Sequence, residues 1–76
     1  MITVKIAGGV FKDADRQGNE VVAIEWGEGT IGEVLEALGL EEKQVGAVLV
    51  QGKPKKMNHV VADGDLIQIL PILSGG

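Results

Sequence analysis

The sequence predicts an α+β domain in which a mixed sheet of four to five strands packs on one main helix. Three observations carry that expectation. At 76 residues the chain holds one core, since a second domain would have almost none of its own. Apolar residues alternate with polar ones near both ends, the period-2 pattern of half-buried strands. Between them lies one stretch with helical apolar spacing.

Taken in order, Ile2, Val4 and Ile6 alternate with Thr3, Lys5 and Ala7, predicting a strand over residues 1–7 that Gly8-Gly9 breaks. Residues 8–18 carry mostly polar side chains and read as a loop or long hairpin tip. Strand character resumes over 19–26, with Val22, Ile24 and Trp26 on one face and Val21, Ala23 and Glu25 on the other. Gly27-Glu28-Gly29 ends it, and Thr30 opens a helix. Thr30-Ile31-Gly32-Glu33 has the form of a capping box, in which hydroxyl and carboxylate satisfy each other's backbone N–H. Ile31, Val34, Leu35 and Leu38 form the helix's apolar stripe. Gly39 suits the left-handed residue that ends it, and Leu40 can fold back as its apolar contact.

Residues 46–51 form a nearly continuous apolar run, as a central strand requires. Gly52-Lys53-Pro54 reads as a turn, residues 57–62 as a short edge strand around Val60 and Val61, and Asp63-Gly64-Asp65 as a tight turn. Residues 66–70 are the last strand, and Pro71, lacking an N–H, is expected to end its pairing. The expected core is Val4, Ile6, Ile24, Ile31, Val34, Leu35, Leu38, Val48, Val50, Ile67 and Ile69. An N-terminal hairpin, a crossing helix and a last strand beside the first make a β-grasp sheet. The domain is expected over residues 1–71, with residues 72–76 as a flexible tail.

Composition narrows the function. Seven basic and eleven acidic residues give a net charge of −4, unsuited to gripping a phosphate backbone, so no nucleic-acid partner is expected. No cysteine is present, which removes disulfides, thiolate metal sites and cysteine nucleophiles. No apolar stretch exceeds four or five residues, and the N-terminus lacks a signal-peptide pattern, so no membrane partner and a cytoplasmic location are expected. His59 is the one histidine, Asp63 and Asp65 are accounted for by their turn, and no metal site is expected. Ser74 is the one serine and stands in a tail with no pocket around it. No catalytic constellation emerges, and the expectation is a carrier or binding protein rather than an enzyme. Charge is uneven: residues 20–42 hold seven acids and no base, residues 43–56 four bases and no acid. Solvated faces account for this, and a dipolar docking surface is the alternative.

The end of the chain is the most informative part. After Leu70 the six following residues reach roughly 20 Å when extended. Gly75 and Gly76 carry no Cβ, so they fit a narrow channel and leave a terminal carbonyl unshielded. An enzyme that activates a protein C-terminus needs such an end.

Asp63-Gly64-Asp65-Leu66-Ile67, then Leu70-Pro71, then Gly75-Gly76, resembles the ending of the ThiS/MoaD family of ubiquitin-like sulfur carriers, with Ile72 in place of a second proline. Thr30 followed by Ile31, Val34, Leu35 and Leu38 is similar to that family's helix start. The resemblance implies a β-grasp fold and a mechanism. An E1-like adenylyltransferase of ThiF or MoeB type adenylates Gly76 with ATP, and a sulfurtransferase persulfide displaces AMP to leave a thiocarboxylate. A sulfur-accepting synthase of MoaE or ThiG type then takes the sulfur in cofactor biosynthesis. The carrier binds no cofactor itself; ATP belongs to the partner's reaction. Gly76 is then the chemical site, and Gly75, Ser74, Leu73 and Ile72 are the segment threaded into the enzyme. If Ile67 and Ile69 face the helix, Leu66, Gln68 and Leu70 face outwards as the docking surface, joined by Leu49 or Lys53 of the neighbouring strand. Two alternatives are a protein modifier joined to lysine through Gly76, and a β-grasp interaction module whose tail has no chemistry.

Overall fold

The computed structural model describes residues 1–8 and 19–72. Its elements are β1 (Ile2–Ile6), β2 (Glu20–Ile24), β3 (Glu28–Thr30), α1 (Ile31–Ala37), a 3-10 turn (Glu42–Gln44), β4 (Val45–Val50), β5 (Lys53–Lys55), β6 (Val60–Ala62) and β7 (Leu66–Pro71). Five strands form one sheet in the order β2-β1-β7-β4-β5. β1 and β7 run parallel at its middle, and every other pairing is antiparallel. The helix connection from β2 to β4 covers one face, which is the expected β-grasp arrangement.

Alternation decides which side chains reach the core. Ile2, Val4 and Ile6 of β1, Val48 and Val50 of β4, and Ile67 and Ile69 of β7 are buried against Ile31, Val34 and Leu35 of α1. Ile2, Leu40, Val45 and Val61 join the expected core, while Ile24 and Leu38 are only half-buried. Ile24 lies on the edge strand β2, and Leu38 caps the helix end, so Leu40 turns under it instead. The Leu40 N–H donates to the Leu35 carbonyl at 2.9 Å and the Gly39 N–H to that of Glu36 at 3.0 Å. With Gly39 at φ +74°, this is a Schellman ending.

The helix start is equally well satisfied. Thr30 Oγ1 accepts from the Glu33 N–H at 3.2 Å, and Glu33 Oε1 accepts from the Thr30 N–H at 2.9 Å. The Ile31 and Gly32 N–H groups donate to the carbonyls of His59 and Met57 at 2.9 and 3.0 Å. The segment before β6 thus supplies the acceptors that the first helical turn lacks.

Three local expectations are corrected. Glu28-Gly29-Thr30 does more than end a strand: it forms β3, which pairs with β6 in a separate two-stranded sheet. β6 is therefore not an edge of the main sheet. The β4–β5 turn sits at Gln51-Gly52, with φ 52° and 81°, and Lys53-Pro54 belongs to the edge strand. A non-glycine residue holds that backbone because Gln51 is clamped to Leu66. Its N–H donates to the Leu66 carbonyl at 2.9 Å, and its Oε1 accepts from the Leu66 N–H at 2.7 Å. Pro71 ends the pairing as expected, and it does so as the last residue of β7, opposite Val45, one residue beyond the expected strand. The loop expected over 8–18 lies, beyond Gly8, outside the described residues, as do Leu73, Ser74, Gly75 and Gly76.

Candidate functional site at the end of the central strand

The sheet face turned away from α1 carries the residues that alternate with the core. β7 contributes Leu66, Gln68 and Leu70, as the alternation predicts, and their partners continue the face. Thr3 and Lys5 stand beside Leu66 and Gln68 on β1, Ala23 and Val21 stand beyond them on β2, and Leu49 and Ala47 flank Gln68 and Leu70 on β4. Lys53 is opposite Val50, so it shares the helix-side face and not this one, whereas Leu49 belongs here. Lys5 is the one charged side chain among these positions. Leu70 is 36% exposed and Val21 64%. Sequence reasoning found the β7 part of this face and missed Lys5, Val21 and Ala47. The period-2 pattern held the signal, but only the strand order brings those rows together.

A cleft of about 300 Å³ opens on this face, with Ala7, Val21 and Leu70 as apolar walls and Lys5, Glu20 and Gln68 as polar lining. Leu66 lies outside it. Such a cleft accepts an apolar side chain and offers hydrogen bonds at its rim.

β7 runs out of the sheet between the ends of its neighbours. On one side the Ala7 N–H donates to the Ile69 carbonyl at 2.9 Å. On the other, β4 begins at Val45 opposite Pro71. Between the Val45–Pro71 and Ala47–Leu70 pairs β4 has one residue too many, so Gly46 is a β-bulge. Ile72, the first residue past the strand, is 51% exposed. Ile72 therefore emerges at the same end of the sheet as Leu70 and the cleft.

Electrostatics add little at this exit. Among the described residues, the perturbed carboxyl is that of Asp63, in the turn before β7. A hydrogen bond from the Met1 ammonium, and then that group's charge, hold its carboxyl below the ordinary aspartate range. Asp65 is used by the turn itself, where Oδ2 accepts from the Ala62 N–H at 2.9 Å. His59 serves through its backbone carbonyl at the helix start. Among the described residues, no helix is long and apolar enough to cross a membrane.

Comparison with known proteins bears on this geometry. The family profile described as Mut7-C ubiquitin matches residues 9–75. The crystal structure of SAMP1 from Haloferax volcanii superposes with a TM-score of 0.66 at 25% identity, covering 99% of this chain and 98% of that one. No curated protein sequence matches the chain.

Proposed function

The chain belongs to the Mut7-C ubiquitin family, and from that membership we propose that it is a ubiquitin-like sulfur carrier whose reactive group is the carboxylate of Gly76. The observation that supports this most is the course of β7. The central strand of a ubiquitin-like sheet leads past Pro71, with Gly75-Gly76 further along the sequence, and its exit adjoins a largely apolar face that no described element covers.

The face holds and the tail reacts. An E1-like adenylyltransferase of ThiF or MoeB type docks on Leu66, Gln68 and Leu70, and an apolar side chain of the enzyme enters the cleft beside Leu70. Ile72, Leu73, Ser74 and Gly75 thread Gly76 to ATP. The Gly76 carboxylate oxygen attacks the α-phosphorus, pyrophosphate leaves, and an acyl-adenylate forms. The carboxylate alone is a poor acyl donor; the mixed anhydride makes AMP the leaving group. The terminal sulfur of a sulfurtransferase persulfide attacks the acyl carbon and AMP departs. A second thiol on the donor side then attacks the inner sulfur, releasing the thiocarboxylate and leaving a disulfide on the donor. A synthase of MoaE or ThiG type consumes the thiocarboxylate in cofactor biosynthesis. The carrier supplies recognition and a reactive end, as group carriers do, and binding energy from the folded body positions the tail.

The test is intact mass spectrometry on protein from its native host and on protein incubated with ATP, E1-like enzymes and a persulfide donor. The account expects a chain ending at Gly76 and, after incubation, one oxygen exchanged for sulfur. Isopeptide adducts on lysine without any thiocarboxylate would make the chain a protein modifier. Unchanged mass with every such enzyme would leave an interaction module.

A further inference from the structure

We infer that Gly46 is a positioning residue for the tail: by letting the backbone of Pro71 and Ile72 lie against β4, it sets the direction in which the chain leaves the sheet. As a statement about function this rests on the carrier reading; as a statement about structure it stands alone.

The usual reasons for a glycine do not apply at this position. Among the described glycines those with positive φ are Gly39, Gly52 and Gly64, and Gly46 is not one of them. It is exposed, so the core does not demand a small residue. Space is what excludes a side chain. A Cβ at Gly46 would fall on the Pro71 carbonyl oxygen, 2.8 Å from the Pro71 carbonyl carbon and 2.9 Å from Ile72 Cα. All three atoms are backbone, so no rotamer change relieves the clash, and the root of the tail must move away.

The bulge explains why the approach is so close. Val45 opposes Pro71 and Ala47 opposes Leu70, leaving Gly46 as the unpaired extra residue facing the strand's last turn of chain. Pro71 has no N–H to donate to the ladder, and its carbonyl group lies against Gly46. From Ile72 four residues remain to Gly76, spanning roughly 13–14 Å. Once threaded and held extended in the enzyme's channel, the tail cannot take up a lateral shift at its root, so the shift carries to the reacting carboxylate, where displacements of about 1 Å cost on the order of 100-fold in rate. The docking residues Leu66, Gln68 and Leu70 lie before this point in the chain and keep their places. Gly46→Ala should therefore spare binding of the body and slow adenylation.

Pyrophosphate exchange measured against carrier concentration, with an activating E1-like enzyme, separates the two quantities. We expect Gly46→Ala to lower kcat by about 10-fold or more with KM for the carrier little changed, the signature of lost positioning rather than lost docking. Gly27→Ala is the matched control, because a Cβ at Gly27 meets nothing within 4 Å, and it should leave both constants unchanged. An unaltered kcat in folded Gly46→Ala, or a rise in KM alone, would overturn the inference. NMR supplies a readout independent of the enzyme and, in the unsubstituted protein, of the variant's folding. The unsubstituted protein should show a cross-peak between the α-protons of Gly46 and Ile72, and folded Gly46→Ala should shift the Ile72 amide. Absence of the cross-peak, or an unmoved amide, overturns the inference even if no enzyme activates the chain. Failure of the unsubstituted protein to exchange pyrophosphate would instead count against the carrier reading.

Discussion

Truncating Leu35 is the sharpest test of how the helix holds the sheet. Leu35 lies in the second turn of α1 with 1% of its surface exposed, among side chains of the central strands. Leu35→Ala deletes three carbon groups, worth about 2.4 kcal/mol at roughly 0.8 kcal/mol each. The cavity that remains raises the expected loss to about 2–5 kcal/mol. The helix ending should survive, because Leu35 serves it through its carbonyl, which accepts from Leu38 and Leu40 and is untouched by the substitution. The measured loss therefore reports side-chain burial. Urea unfolding followed by fluorescence is the assay, with Trp26, the one tryptophan, as reporter beside the core. With a slope near 1 kcal/mol per M, a loss of about 3 kcal/mol moves the midpoint by about 3 M. Leu38→Ala should cost less than half as much, since Leu38 is only half-buried at the helix end. A loss under about 1 kcal/mol for Leu35→Ala, against the usual range for buried leucines, would refute this packing.

Three further predictions address the turn, the helix end and the face. Asp63 has a folded-state pKa below its unfolded value of about 3.9, so its stabilising contribution is present above that pH and is lost as pH falls through the lower folded-state pKa. Carboxyl-carbon NMR titration should give a depressed midpoint that returns upwards when the Met1 amine is acetylated; an ordinary midpoint before acetylation would contradict the ion pair. Gly39→Ala should cost about 1–2 kcal/mol in urea unfolding, because φ +74° places a Cβ against the following carbonyl. Leu70→Asp should weaken association with the activating enzyme at least about 10-fold, as a central apolar interface residue does, while moving the melting temperature little. Equal affinity in a folded variant would shift docking elsewhere, with the acidic helix face the next surface to examine.

What the sequence revealed and what it hid follow from the range of the interactions. The capping box at Thr30 and Glu33 and the ending at Gly39 and Leu40 each lie within a few residues, so they were legible. The facing of β1 and β7 was legible too, because period-2 alternation needs no partner to read. Pairing of β3 with β6 was not: three residues, two of them Glu28 and Gly29, carry no alternation, and their partner lies about thirty residues away. The turn at Gln51-Gly52 was misplaced because glutamine at positive φ is held by Leu66, a contact across strands. Of the candidate site, Leu66, Gln68 and Leu70 could be read as one face from β7 alone. Lys5, Val21 and Ala47 enter that face only through strand order, and Gly46 gains its meaning only when the bulge sets it against Pro71.

The central claim is that the reaction takes place at the carboxylate of Gly76 while the folded body serves recognition. The most direct measurement compares pyrophosphate exchange by the activating enzyme on the chain ending at Gly76 and on the same chain extended by one residue. Both should fold alike and bind alike, since the core and the outer face lie within residues 2–70. The account predicts exchange with the first and its abolition with the second. Equal exchange rates from the two proteins would contradict it.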